Sequence, residues 1–336
     1  MNTPTDDERE TAALLAQLKV APPPAARERA FAKLQAEFAA QHAPAVASPS
    51  SRRSRVRWAV AAGVVVALLA GLTWRGSQPR DLVARVESID GNVESRGAGW
   101  LDGRDALADG GTVAAGSTLQ VAAQGGVLLR LSPDLTVRLA GNTRARFVAA
   151  DRLELSAGQA FVDATPGAHA PLRIVTPYGE VTHLGTQYLV RVGADTAPHE
   201  VEVAVREGRA QLTIGQSQRV AEAGHWLLRR DGAELVEGTI DPVDARFEWI
   251  GKLPSSFKLE GATLAGFLAW FQRETGLAPI YSDGVDAGQF SQVQLKGSID
   301  ELEPVEALSY VLATADLAWH REGAKVVIEK RRAAAG

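Results

Sequence analysis

The sequence predicts a single-pass membrane protein in three parts. A short helical cytoplasmic segment precedes the membrane, and an all-β domain, sandwich or solenoid-like, and a small C-terminal α/β domain follow it. Three observations carry this expectation. Trp58 through Trp74 contains no charge, residues from Asp81 to about Leu235 alternate with period two between frequent turns, and after Gly238 the apolar spacing becomes helical.

The uncharged run is 17 residues long, and only Thr73 in it is not apolar, aromatic or Gly. As a helix it covers about 25 Å, slightly less than a ~30 Å hydrocarbon core. Arg57 and Arg75 extend it by snorkelling, and a Trp stands at each edge. A cleaved signal would begin near the first residue, and a core helix would show a polar face, so a retained span over 58–74 fits better than either. Arg52, Arg53, Arg55 and Arg57 crowd its N-terminal side, which predicts the N-terminus in the cytoplasm and the C-terminus outside. Gly63, Ala67 and Gly71 share one face of the span and suggest a homodimer contact.

Ahead of the span, residues 1–40 read as two short helices. Thr5 and Glu8 have capping-box spacing before Leu14, Leu15 and Leu18; Pro22, Pro23 and Pro24 end that helix. A second helix places Phe31, Leu34 and Phe38 on one face, and residues 41–57 form a basic, Pro- and Ser-containing linker. Leu14, Leu18, Phe31, Leu34 and Phe38 are the candidate face for a cytoplasmic partner, although the two stripes could also pack on each other. Residues 1–57 carry nine basic and six acidic side chains, the remainder 27 and 34. The mildly acidic outer part argues against direct nucleic-acid binding. With no Cys, disulfides, thiol catalysis and Cys-based zinc sites are excluded.

The β-rich part spans 81–236. Leu128 to Leu139 is its clearest hairpin, with a Ser-Pro-Asp turn and Thr136 and Arg138 opposite Val137 and Leu139. Further strands are expected at Leu119–Val121, Arg144–Val148, Leu153–Leu155, Gln159–Asp163, Leu172–Val175, Gln187–Val192, Val201–Val205, Ala210–Ile214 and His225–Leu228. So many short strands mean a sandwich, barrel or solenoid-like stack. A linker is expected over 237–254. Residues 255–330 then give the order β-α-β-β-α-β-β: Phe257 and Leu259 in a strand, a helix presenting Leu264, Phe267, Leu268 and Phe271, and strands at Pro279–Tyr281 and Val293–Leu295. A helix starting at Pro304 and a closing hairpin around Glu322-Gly323 follow.

Catalytic motifs are thin. Ser255-Ser256-Phe257-Lys258 has the Ser-x-x-Lys spacing of a penicillin-binding nucleophile, without the Lys-Thr-Gly or Ser-Asp-Asn that should accompany it. His199-Glu200 opens like a zinc-protease motif but continues into a strand, and Gly97-Ala98-Gly99 lacks the flanking strand and helix of a dinucleotide loop. The six His show no metal-ligand spacing, and His183 reads as a buried structural histidine. The expectation is a non-enzymatic binder without cofactor or metal.

Leu129–Thr143, Leu153–Ala164, Leu172–Val190 and Val201–Ala210 together resemble the FecR family of ferric-citrate-type transmembrane regulators. The pattern Val-Thr-Pro-x-Gly…Gly-Thr-x-Tyr-x-Val is carried here by Gly179, Gly185, Thr186 and Tyr188. Gly179 fits a turn after Pro177, and Gly185-Thr186 a tight passage in which the Thr hydroxyl bonds to backbone. Residues 255–330 resemble the short N-terminal domain of secretins and TonB-dependent receptors. The resemblance implies an inner-membrane protein with a periplasmic C-terminal part. It would relay the state of an outer-membrane receptor to an extracytoplasmic-function sigma factor, as anti-sigma factor or sigma regulator. The family's usual cytoplasmic domain is larger, and no Trp precedes Trp58 here. A membrane-anchored scaffold or adaptor without sigma-factor output is the alternative, and carbohydrate or small-ligand binding a third. A partner strand is expected to dock on an open edge at Lys325–Glu329.

Overall fold

The computed structural model describes residues 81–97, 103–165, 171–183, 185–193, 199–288, 292–300 and 302–331. They fall in one compact unit, Gly76–Gly336. The two inner helical stripes with Leu14, Leu18, Phe31, Leu34 and Phe38, the uncharged run Trp58–Trp74 and its Gly63/Ala67/Gly71 face all lie outside the described residues.

Among the described residues, seventeen strands build the first part. They are β1 (Leu82–Asp90), β2 (Val93–Arg96), β3 (Arg104–Ala106), β4 (Thr112–Ala114), β5 (Thr118–Val121), β6 (Gly126–Ser132), β7 (Leu135–Leu139), β8 (Arg144–Ala149) and β9 (Arg152–Ala164). The series continues with β10 (Arg173–Thr176), β11 (Gly179–His183), β12 (Gln187–Val192), β13 (Glu200–Glu207), β14 (Arg209–Ile214), β15 (Ser217–Glu222), β16 (His225–Arg230) and β17 (Leu235–Thr239).

Their pairings resolve into two sheets. One runs β4-β1-β6-β7-β9-β12-β13-β16-β17, the other β3-β2-β5-β8-β9-β10-β11-β14-β15. β9 belongs to both. Its first residues pair with β8 and, in parallel, β10; its last seven pair with β7 and β12. The sequence suggests two strands here, broken near Gly158; the chain instead bends at Gly158 (φ +91°) and continues as one 13-residue strand. Alternate residues of both sheets, among them Val137, Val162, Val190, Val205, Phe147, Leu153, Ile174 and Val181, meet in one core. Of the three arrangements left open by the sequence, this is a two-sheet stack.

The stretch 237–254, expected to be a linker, is packed structure. A 3-10 helix, Ala245–Lys252, capped by the Asp244 side chain, buries Phe247 and Ile250 against Phe161, Leu189 and Ala204 on the outer face of the first sheet. The C-terminal module then comprises α1 (Leu264–Thr275), β18 (Ala278–Tyr281), α2 (Pro304–Thr314), β19 (Leu317–Glu322) and β20 (Lys325–Lys330). Thr263 caps α1 by accepting the Gly266 N–H, Gly276 closes it in the left-handed conformation, and Phe267, Leu268 and Phe271 are buried together with Leu308 and Leu312 of α2. The expected strand at Phe257–Leu259 does not form, and Val293–Leu295 contributes only an isolated bridge from Gln294 to Thr263, so these elements run α-β-α-β-β among the described residues.

Among the described residues no helix is long and apolar enough to cross a membrane. α1, at 12 residues, rises only about 18 Å against a ~30 Å hydrocarbon core. The single-pass fold class is corrected accordingly to a two-sheet β-stack carrying an α/β module. The membrane-embedded arrangement, the inner-membrane localisation and the transmembrane relay implied by the family resemblance rested on such a span and do not stand on this structure.

Candidate functional site

The most heavily built polar site is the seam between the β-stack and the α/β module. Outward-facing residues of four strands converge there: Arg138 of β7, Asp163 of β9, Gln187 of β12 and Arg206 of β13. Arg138 is 1% exposed and donates from Nε to the Leu253 carbonyl at 2.7 Å and from a terminal nitrogen to Glu274 of α1 at 2.5 Å. Glu274 also accepts from the Ser255 hydroxyl. The Arg273 carbonyl, near the end of α1, accepts from Gln187 at 3.0 Å and from Arg206 at 3.3 Å, while the Arg273 guanidinium pairs with Asp163. Arg246 of the 3-10 helix adds a bond to Glu202 of β13 at 2.9 Å. Arg138, Glu274, Arg273 and Asp163 are held because each charge answers another and the Nε of Arg138 finds a carbonyl; Arg206 is the exception, with one carbonyl bond and an unpartnered Nε. These bonds tie the module to the stack.

A second cluster surrounds the family-like pattern. Pro177 and Tyr178 form the two-residue loop between β10 and β11, where the Thr176 hydroxyl donates to the Gly179 carbonyl at 2.8 Å and accepts the Tyr178 N–H. Gly185 (φ +68°) turns the chain from β11 into β12. Thr186 is buried, but its hydroxyl has no hydrogen-bond partner among the described residues, contrary to the expected backbone bond; nor has the buried Tyr188 hydroxyl. Tyr188 stacks on His183 with ring centroids 5.8 Å apart, and burial raises its pKa above the usual phenol value.

His183 is buried, and its Nε2 accepts the Leu172 N–H at 2.8 Å. Protonation would set two donors face to face, and burial lowers the ring's pKa below its ordinary 6.5. A depressed folded-state pKa means that the stabilisation is complete above the unfolded value and is lost as pH falls through the folded one. Chemical denaturation is expected to show stability declining as pH falls below about 6.5, the ordinary His value, and His183→Gln, which keeps an acceptor but does not titrate, to flatten that decline. An unchanged slope in the variant would assign the acid sensitivity elsewhere.

The catalytic candidates are absorbed into the scaffold. Ser255 is held between Glu274 and the Trp270 indole N–H, which reaches its hydroxyl at 3.2 Å. His199 meets the Tyr178 hydroxyl at 2.9 Å, and Glu200 pairs with Arg230 from within β13. Among the described residues no three His, Asp or Glu side chains group to hold a metal ion.

The small sheet has the order β18-β20-β19, so Lys325–Glu329 lies in its central strand and cannot be the open edge expected from sequence. Both flanks remain as edges. The Ala278 and Ser282 N–H groups bond to Ala324 and Ile328, which turns Pro279 and Tyr281 outward; Pro279 has no N–H, and that edge is blunted. The bond from Arg331 N–H to the Asp316 carbonyl fixes the phase of β19, leaving the backbone of Trp319 and Arg321 directed away from β20. Neither makes a backbone hydrogen bond outside the sheet among the described residues.

Sequence reading missed the seam. Arg138, Asp163, Gln187, Arg206 and Glu274 look like solvent-facing polar residues of amphipathic elements. One signal was available: Ala160–Val162, Tyr188–Val190 and Val201–Val205 are apolar, or nearly so, on both faces, which is the pattern of strands covered on both sides.

No curated protein matches the chain. Two crystal structures of a protein provisionally described as an anti-sigma factor, from Parabacteroides distasonis ATCC 8503, are 16% and 14% identical to it. Each comparison covers 63% of this chain and 98% of the other, with TM-scores of 0.35 and 0.34. Residues 112–211, from the start of β4 into β14, match the family model described as FecR protein, and it is to that family that this part of the β-stack is similar.

Proposed function

We propose that the described part of the chain is a non-enzymatic protein-binding module that receives an extended segment of a partner protein along the outer edge of β19. The observation that carries this reading is the unequal treatment of the two sheet edges: Pro279 blunts one, and the other offers the backbone of Trp319 and Arg321. Strand addition takes affinity from backbone bonds and specificity from alternate side chains. The seam supports the reading, because a module fixed by Arg138–Glu274 presents that edge in one orientation. The similarity of residues 112–211 to the FecR family fits a regulatory rather than catalytic role.

Arg321→Pro tests it, since the substitution deletes an outward N–H while leaving the bonds of β19 to β20 in place. With a photo-crosslinking residue at position 320, the parent protein is expected to capture one extended partner segment in cells, and the Pro variant to lose most of that product with its thermal midpoint little changed. Equal crosslinking in both would sink the proposal.

A further inference from the structure

A cavity of about 280 Å³ opens where the β-stack, the 3-10 helix and the α/β module meet. Apolar surface from Val243, Phe247, Leu277 and Val305 lines it, together with three cations, Arg206, Lys252 and Arg321. Arg206 is only 8% exposed. Its guanidinium lies over the Phe247 ring at 4.5 Å and gives one bond to the Arg273 carbonyl, and its Nε has no partner among the described residues. Burial, reinforced by neighbouring Arg138, lowers its pKa to about 10, so it remains charged at neutral pH.

Four acids also line the cavity, and two of them are paired elsewhere. Glu274 answers Arg138, and Asp244 pairs with Arg246 and caps the 3-10 helix. Glu248 and Glu303, the N-cap residue of α2, remain without a cationic partner among the described residues. Lys252 and Arg321 make no ion pair among the described residues; Arg321 donates only to the Gly323 carbonyl. Three cations thus face two unpaired carboxylates beside an apolar wall, and the enclosed Arg206 has neither of them as an ion-pair partner. A cation so enclosed is stabilised by an anion that reaches it. An inorganic anion would use the charges and leave the apolar lining untouched.

We infer that this cavity binds a small organic carboxylate, its oxygens on Arg206 and Lys252 and its aliphatic body against Phe247, Val243 and Leu277. Because the lining comes from both sides of the seam, such a ligand would also tighten the docking of the module on the stack.

Calorimetric titration and thermal melting of the full chain test the inference, with 4-methylpentanoate as probe and 4-methylpentanamide and inorganic phosphate as comparators. The carboxylate is expected to bind and to raise the melting midpoint, and the other two are not. Lys252→Glu, at an exposed position, should weaken binding about tenfold or more, the loss of one charge-assisted contact. Arg206→Met should abolish it; should that variant fail to fold, the Lys252 result decides. Equal binding of the amide, equal binding of phosphate, an unaltered Lys252→Glu variant, or no heat at about 10 mM carboxylate would each overturn the assignment.

Discussion

Replacing Glu274 by Ala is expected to destabilise the chain by roughly 3–5 kcal/mol, the cost of leaving a buried charge without its partner. Arg138 and Glu274 are each 1% exposed at the side chain, and Glu274 in addition holds Ser255. The Ala variant leaves the Arg138 guanidinium enclosed with only the Leu253 carbonyl to receive it. Urea unfolding of the parent, Glu274→Ala and the double variant Arg138→Met/Glu274→Leu separates two explanations. If the pair serves mainly to fill and order the seam, the apolar double variant regains most of the lost stability. If the double variant is as unstable as the single one, the ionic geometry itself holds the module in place. A Glu274→Ala variant as stable as the parent would show that the seam contributes little.

Gly208→Ala is expected to cost about 3 kcal/mol, from two sources that a control resolves. Gly208 joins β13 to β14 at φ +75°, and an added Cβ would lie 2.4 Å from the Gly185 carbonyl oxygen and 2.5 Å from the Thr186 side chain. Backbone cannot move aside there without disturbing the passage from β11 into β12. Gly215, between β14 and β15, has a comparable φ of +58°, and a methyl group added there would meet nothing within 4 Å. Gly215→Ala should therefore show only the left-handed strain, about 1 kcal/mol. Equal losses at the two positions would remove the steric part of the argument. The same contact explains why Gly185-Thr186 and Gly208 belong to one local structure although 22 residues separate Thr186 from Gly208.

Period-two alternation located most strands of the stack because it is a local property: each inward residue of Leu128–Leu139 or Gln187–Val192 is apolar in its own neighbourhood. β1 to β4, β11, β15 and β17 were harder to see. They are short, rich in Gly, Ser and charge, or exposed along much of their length, as in Ser217–Glu222. Pairing was legible only in the two hairpins, Leu128–Leu139 and that around Glu322-Gly323. That β9 joins two sheets, or that β20 lies between β18 and β19, depends on which distant segments meet, and local spacing carries no record of it.

The sequence by itself determined the β-rich character of residues 81–236, the helices beginning near Leu264 and Pro304, and the lack of any cysteine chemistry. Each follows from residue periodicity, from caps such as Thr263 and Gly276, or from composition. Tertiary structure alone decided the fate of the polar residues. Arg138 and Arg206 alternate with core residues and read as solvent-facing, yet the 3-10 helix and α1 cover them and turn them into a buried seam. The physical reason is that a strand specifies which side chains share a face, whereas what comes to rest on that face is set by burial, charge pairing and chain connectivity across more than a hundred residues.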